Sequence, residues 1–373
     1  MAKKKANPHY RNSWEWLSQE YPEAISRVLE GKYAESPAHV EIHPHHSTTI
    51  LCNNNCHSCT GSYYKGIKNT GIEVNRLIET IDSFKGKVNE VMYSGCCIEP
   101  LLYPDITETI KHIKDADIKF TLYSNFYYGN RPGLIDQLTA PNSEEDCIRI
   151  SLDAGTNESY NHVHSPYDKN SFYKIKDNIK ELLNAKKKKD LTTHVSVTYL
   201  MTNENSSKEE LESTIQWAYM NEGINNLRFS TYQKPINREM PKSSIIDNKI
   251  LRDRNNFLED LKKEYKRNDF DLQIRYEPML TGERPKTFDK CSAQGVFGVI
   301  SYDGGVRTCT AMGAPKTPEE FQFGNINTED FWDIWKNRKE LRKIPLEKCA
   351  DCTRAEYNLN SKIHEILSRP KPL

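Results

Sequence analysis

The protein has 373 residues, with 52 Lys and Arg against 52 Asp and Glu, so its formal net charge is zero. This length accommodates about two domains, and the balanced charge argues against a nucleic-acid partner bound by a strong positive field. No apolar run approaches the roughly 20 residues of a membrane-spanning helix, and no secretory signal is recognisable. We therefore expect a cytoplasmic protein without a membrane partner, in which clustered cysteines stay reduced and serve metals.

In the first two thirds of the chain, predicted strands alternate with predicted helices. An amphipathic helix is predicted over 13–30, and an extended segment over 40–51. Further strands are predicted at 88–93, 118–123, 147–152, 193–200 and 227–230, with helices at 74–84, 106–113, 134–138, 173–189 and 209–220. Six strands separated mainly by helices indicate parallel βαβ units in an open or closed barrel.

The pattern changes in the last third of the chain. A long charged helix is predicted over 245–266, and a hairpin over 296–308 around Asp303-Gly304-Gly305. Another helix follows at 330–341. The predicted organisation is an N-terminal helical extension (1–38), a barrel (39–235), a connecting helix (236–270) and a small α+β domain containing the hairpin (271–373).

Three of the ten cysteines form a C-x3-C-x2-C run directly after the first predicted strand: Cys52, Cys56 and Cys59. Three thiolates can hold one metal centre and leave a coordination position open for chemistry. Loops that follow barrel strands are also where α/β barrels carry reactive groups. The alternative is a zinc site completed by His57.

This cysteine motif resembles that of the radical S-adenosylmethionine (radical SAM) enzymes. The resemblance implies a partial (β/α)6 TIM-type barrel in which the three cysteines hold a [4Fe-4S] cluster that binds S-adenosylmethionine. It also implies reductive cleavage of S-adenosylmethionine to a 5′-deoxyadenosyl radical, which abstracts a substrate hydrogen. The electron would come from a reductant such as flavodoxin or ferredoxin.

Further strand ends carry residues that resemble the family's cofactor-binding segments. Gly95 and Glu99 lie in a turn similar to the family's glycine-rich "GGEP" turn, although Cys96 and Cys97 make it one residue longer. The resemblance also places at the cofactor the residues Ser124 and Asn125 after the third strand, and Ser151 and Asp153 after the fourth. Arg228, at the end of the sixth strand, is predicted to bind either a substrate oxygen or the S-adenosylmethionine carboxylate, with a surface ion pair as the alternative.

The adenine-binding position departs from the family pattern. Ser58 stands where the family usually has an aromatic residue, so the adenine platform is expected at Tyr63 or Tyr64.

A second cysteine group lies near the C-terminus: Cys291, Cys309, Cys349 and Cys352. Four thiolates can complete a zinc site or hold all four irons of a [4Fe-4S] cluster. The radical SAM resemblance favours an auxiliary [4Fe-4S] cluster in a twitch domain, a shortened SPASM domain, with electron transfer as its task. The other three cysteines are assigned to packing, with hydrogen-atom donation as an alternative for Cys96 or Cys97.

These patterns lead to three hypotheses on function. The leading one is dehydrogenation of a small polar metabolite, such as a sugar, an aminocyclitol or a nucleoside, in natural product biosynthesis. The second is maturation of a ribosomal peptide by epimerisation or crosslinking. It ranks lower because the 51 residues before Cys52 leave little room for the leader-binding domain of many peptide-modifying relatives. The third is a non-catalytic zinc or iron–sulfur binding module.

Overall fold

The structure is a computed structural model that describes residues 13–57, 59, 70–95, 97–231, 246–275, 286–314, 317–338, 340–349 and 352–369. Within these ranges, the first seven strands of the chain lie side by side in one sheet. They are β1 (His39–Ile42), β2 (Glu90–Tyr93), β3 (Lys119–Ser124), β4 (Cys147–Ser151), β5 (His194–Met201), β6 (Ile224–Thr231) and β7 (Asp271–Arg275). Each pairs in parallel with the next. This is the α/β partial barrel predicted, with β7 as a strand that was not predicted.

Helices connect the parallel strands. They are α3 (Val74–Asp82), α4 (Ile106–Asp115), α5 (Leu134–Leu138), α6 (Asn157–His164), α7 (Ser171–Lys188), α8 (Lys208–Met220) and α9 (Asn248–Glu264). The helix α4 is typical, since Ile106, Ile110 and Ile113 recur at helical spacing and are fully buried. Such a stripe places one helix face against the sheet.

The single helix predicted over 13–30 is two helices, α1 (Ser13–Glu20) and α2 (Pro22–Leu29). The break lies at Tyr21, whose backbone is not helical, and Pro22 begins the second helix. Proline has no N–H to donate to the preceding turn, so it is tolerated at a helix start but interrupts a continuous helix.

A predicted C-terminal hairpin is present, and it continues the barrel sheet. The first hairpin strand, β8 (Phe297–Ile300), pairs in parallel with β1, and β9 (Gly305–Arg307) returns antiparallel to β8. A further strand, β10 (Gln322–Asn325), pairs antiparallel with β9. The sheet order is therefore β10-β9-β8-β1-β2-β3-β4-β5-β6-β7, and β1 is hydrogen-bonded on both sides. The helices α10 (Phe331–Lys336) and α11 (Arg354–Leu367) follow.

The sheet order determines where the candidate site residues lie. Parallel strands end at the same edge of a sheet, so the segments that follow β1, β2, β3 and β4 meet there. The cysteine loop follows β1, Gly95 follows β2, Asn125 follows β3 and Asp153 follows β4. The division into domains, including the boundary near 235–270, stays a prediction. No helix within the described ranges is long and apolar enough to cross a membrane.

A buried ion pair ties α4 to the start of β4. Lys114 Nζ contacts Asp146 Oδ2, and their side chains are 4% and 1% exposed. The other carboxylate oxygen, Asp146 Oδ1, accepts the Phe120 N–H at 2.9 Å. Removing one partner of a buried pair leaves an uncompensated charge, which costs far more than losing an exposed pair.

Replacing Asp146 by Asn should therefore lower the free energy of unfolding by about 3 kcal/mol. The matched control is Asp115→Asn on α4, the helix that carries Lys114. It removes an exposed pair with Lys111 and should lower the free energy of unfolding by less than about 1 kcal/mol. Urea denaturation followed by circular dichroism measures both. Equal losses for the two variants would contradict the structural role of the buried pair.

Candidate active site

A cavity of about 540 Å³ opens at the carboxyl ends of the parallel strands. Its walls include Cys52, Cys56 and Cys59 from the loop after β1. They also include Thr310, which follows Cys309, and Thr353, which follows Cys352. The first cysteine group and segments adjoining the second group thus border one cavity.

Hydrogen bonds from neighbouring elements hold the first cysteine group. The Asn54 N–H donates to Cys52 Sγ at 3.4 Å, and Asn125 Nδ2 lies 3.9 Å from the same sulfur. The thiols of Cys52, Cys56 and Cys59 interact electrostatically with one another, so they lie close together. Burial raises the pKa of Cys52 and Cys56, with the nearby thiols adding to the effect.

His164, at the end of α6, contacts the first cysteine group and was not predicted as a site residue. Its Nε2 lies 3.2 Å from the Leu152 carbonyl oxygen, which can only accept, so Nε2 carries the proton. Its Nδ1 is 2.9 Å from Cys56 Sγ and accepts the thiol hydrogen. Burial lowers the pKa of His164 to about 4, so the ring is neutral.

Three residues predicted from two strand ends meet in one hydrogen-bonded cluster. Ser124 Oγ donates to Glu99 Oε1 at 2.5 Å, and the Asn125 N–H donates to Glu99 Oε2 at 2.9 Å. The Leu101 N–H also donates to Glu99 Oε1, at 3.1 Å. Burial raises the pKa of Glu99, although these donors oppose the shift. Glu99 therefore joins the turn after β2 to the end of β3.

Asp153 lines the cavity, and the positive charge of Arg228 acts on it. The Leu200 N–H donates to Asp153 Oδ1 at 2.7 Å, and His164 Nε2 lies 3.6 Å from Asp153 Oδ2. Burial raises the pKa of Asp153 to about 7, opposed by Leu200 and by the positive charge of Arg228. Ser151 lines the cavity, whereas Arg228 is not among the described lining residues.

The turn after β2 contributes Gly95 to the cavity and buries Cys97. Gly95 lines the cavity, and a Cβ there would collide with the Ile98 side chain and lie 2.9 Å from the Ile98 carbonyl oxygen. Only glycine fits the turn without a rearrangement. Cys97 is buried and packs with Ile98 and Tyr302. The expectations for Cys96 and for the Ser58, Tyr63 and Tyr64 region fall outside the described residues.

The second cysteine group also forms a cluster. Cys291 interacts electrostatically with Cys309, Cys349 and Cys352. Burial raises the pKa of Cys349 and of Cys352 to about 12 each, and it raises that of Cys291 and Cys309 as well. Asn360 on α11 holds the loop that carries Cys291, because its Oδ1 accepts the Ser292 and Ala293 N–H groups at 2.7 and 2.8 Å.

The ligands that the two cysteine groups offer are thiols, which suit iron–sulfur clusters. Buried thiols become thiolates when a metal displaces their protons, and thiolates are the ligands of iron–sulfur clusters. Within the described residues, no three His, Cys, Asp or Glu side chains converge as ligands of a single metal ion. Thiolates at different corners of an iron–sulfur cube bind different irons, so such a cluster does not need that convergence.

Glu41 on β1 connects the barrel to the second cysteine group, and its sequence position carried no signal for this role. His43 Nε2 lies 2.9 Å from Glu41 Oε1, which also accepts a hydrogen bond from Ser94 Oγ. Thr310 Oγ1 donates to Glu41 Oε2. Burial opposes ionisation of Glu41, but these three partners outweigh it and lower its pKa to about 2. The charged carboxylate thus attaches the residue after Cys309 to β1.

Family models match both parts of the chain. The radical SAM superfamily model matches residues 47–218, and the model of SPASM, an iron–sulfur cluster-binding domain, matches residues 291–353. No curated protein matches the sequence.

Solved structures share the fold over most of the chain. SuiB from Streptococcus suis bound to S-adenosylmethionine has a TM-score of 0.59 at 15% identity, with 87% of this chain and 71% of SuiB covered. Native anSMEcpe with bound AdoMet has a TM-score of 0.57 at 15% identity, with 89% of this chain and 96% of anSMEcpe covered. From the two family models, in this order along a chain with the matching fold, we conclude that the protein carries a radical SAM domain followed by a SPASM-type iron–sulfur domain.

Proposed function

We propose that the protein cleaves S-adenosylmethionine reductively and oxidises a small polar metabolite bound in the cavity. The observation that carries this proposal is the single cavity bordered by Cys52, Cys56 and Cys59 and by Thr310 and Thr353, which adjoin the second cysteine group. Its volume of about 540 Å³ would have to hold the first cluster and S-adenosylmethionine as well as the substrate, which favours a small substrate. A substrate there would lie between the two candidate cluster sites.

The cysteines divide into two ligand sets in this proposal. Cys52, Cys56 and Cys59 hold the [4Fe-4S] cluster that binds S-adenosylmethionine, and the four C-terminal cysteines hold the auxiliary [4Fe-4S] cluster. When bound, the first cluster and S-adenosylmethionine supply a radical that removes one hydrogen atom from the substrate.

A net oxidation would account for a cavity that is bordered by the first cysteine group and by residues adjoining the second group. Converting an alcohol carbon to a carbonyl removes one hydrogen atom, then one proton and one electron. The hydrogen atom would end in 5′-deoxyadenosine, and a cluster held by Cys291, Cys309, Cys349 and Cys352 would supply the electron acceptor. The carboxylates that line the cavity are candidate proton acceptors. This distribution accounts for every atom and electron that the substrate loses.

The second candidate is modification of a peptide. It is favoured by the fold likeness to SuiB, one structure of which is bound to the precursor peptide SuiA, with a TM-score of 0.58 at 16% identity. Mass spectrometry and chiral amino-acid analysis together separate the candidates, because a peptide maturase changes the mass or the stereochemistry of a peptide and leaves small polyols unchanged.

The two ligand sets should respond differently to substitution. The wild-type protein, reconstituted without oxygen, should bind about eight irons and release 5′-deoxyadenosine after reduction with dithionite. Cys56→Ala should reduce iron to about four per chain and abolish 5′-deoxyadenosine formation. Cys349→Ala should also lose iron but should keep S-adenosylmethionine cleavage without net substrate oxidation.

The matched control is Cys147→Ala, since Cys147 is buried in β4 and belongs to neither set. It should keep the full iron content and the cleavage activity. Zinc in place of iron, or cleavage that survives in the Cys56 variant, would contradict the proposed ligand assignment.

Glu99→Gln should weaken S-adenosylmethionine binding by roughly tenfold to a hundredfold. The amide nitrogen of Gln cannot accept a hydrogen bond, so a donor from Ser124, Leu101 or Asn125 would lose its partner and the turn after β2 would shift. Equilibrium binding of S-adenosylmethionine to the reconstituted protein measures the effect.

Glu108→Gln, an exposed change on α4, is the control and should bind like the wild type. Glu99→Asp tests the carboxylate separately if the Gln variant unfolds. Unchanged affinity for S-adenosylmethionine in both Glu99 variants would exclude the proposed role of Glu99 in holding the turn that binds it.

A further inference from the structure

Glu356, in the first turn of α11, carries a buried carboxylate that lines the cavity. The residue is 6% exposed, and its Oε2 has no hydrogen-bond partner within the described part of the chain. A buried carboxylate oxygen without a partner is costly. A bound molecule with a suitable donor would supply the missing hydrogen bond.

Thr310 places this carboxylate beside a second one. Its Oγ1 donates to Glu41 Oε2, and its backbone N–H faces the Glu356 carboxylate. The charge of Glu41 adds to burial in raising the pKa of Glu356 to about 7. The hydrogen-bonding capacity of Glu41 is used by His43, Ser94 and Thr310, whereas that of Glu356 is used only in part.

Among the described lining residues, Glu356 has no Lys or Arg as a charged partner. The other two lining carboxylates have partners of their own: Glu99 accepts three hydrogen bonds, and Asp153 accepts one from Leu200 and lies near the charge of Arg228. An anionic substrate would be repelled here, and a neutral one would leave the acidic end uncompensated.

We propose that the substrate carries a protonated amine or a guanidinium group, which donates to Glu356 Oε2. This inference rests on the proposed function and narrows its substrate class to cationic small molecules. A charge-assisted hydrogen bond in a buried site gives both affinity and orientation. The Glu356 carboxylate lies beside Thr310, which follows Cys309. Binding to this carboxylate would therefore orient the substrate towards the second cysteine group.

The test uses pairs of probes that differ mainly in charge. Methyl α-D-glucosaminide is compared with methyl α-D-glucoside, and ethylguanidinium with ethylurea. Binding to the reconstituted full chain, with S-adenosylmethionine present, is measured by calorimetry and by ligand-observed NMR. In the wild type, the cation of at least one pair should bind at least about tenfold more tightly than its neutral partner.

Glu356→Gln should reduce this preference to less than about threefold, because the amide removes the charge at nearly constant size. Glu356→Asp should retain part of the preference. Glu365→Gln is the matched control: Glu365 lies on the same helix, is exposed, and contacts Lys362, so this variant should bind the probes like the wild type.

Two results would overturn the inference: no cationic probe is preferred by the wild type, or the preference survives in Glu356→Gln. Iron content and 5′-deoxyadenosine formation are measured on the same samples. A wild type that lacks both refutes the proposed function, whereas a wild type that has both but shows no preference refutes only the cationic substrate.

Discussion

The pairing of strand β1 on both of its sides is the constraint on which the rest of the site depends. One neighbour, β2, leads into the Gly95 turn, and the other, β8, begins the C-terminal hairpin. Since both pairings are parallel, the chain segments after β1, β2 and β8 leave the sheet at one edge. The first cysteine group lies in the segment after β1, at that edge. The strand β9 returns antiparallel to β8, and Thr310, which follows Cys309, donates a hydrogen bond to Glu41 on β1. One short strand thus brings the first cysteine group and a residue that adjoins the second group to a common cavity.

The carboxylates of this cavity differ in pKa because they differ in hydrogen-bond donors more than in depth of burial. Glu41 and Glu356 are both buried, yet the pKa of Glu41 is lowered to about 2 and that of Glu356 is raised to about 7. Glu41 has three side-chain partners, whereas Glu356 Oε2 has none among the described residues. Glu41 therefore anchors Thr310 to the barrel, and Glu356 is the carboxylate that we propose as the ligand-binding group.

Much of the barrel could be predicted because its elements have strong apolar periodicity. The helices α4 and α7 and the strands β3 and β5 were predicted close to their observed ranges. The helix α6 was missed because Asn157–His164 is mostly polar, so its periodicity is weak, and His164 was missed with it. The strand β7 was also missed, because Leu272 and Ile274 are its only apolar residues. At the edge of the sheet, the strand needs little apolar burial. Glu356 was missed with α11, whose start lies only two residues after Cys352.

The type of metal centre could be predicted from the amino-acid sequence, because ligand spacing is local: Cys52, Cys56 and Cys59 lie within eight residues. The strand ends that carry Glu99, Asn125 and Asp153 could be predicted as well, since strand periodicity is also local. Three contacts became visible only in the folded chain: Glu99 accepts hydrogen bonds from Ser124 and Asn125, His164 contacts Cys56, and Glu356 borders the same cavity as the first cysteine group. These contacts join residues far apart in the chain. They depend on the order and direction of strands in the sheet, which no local pattern encodes.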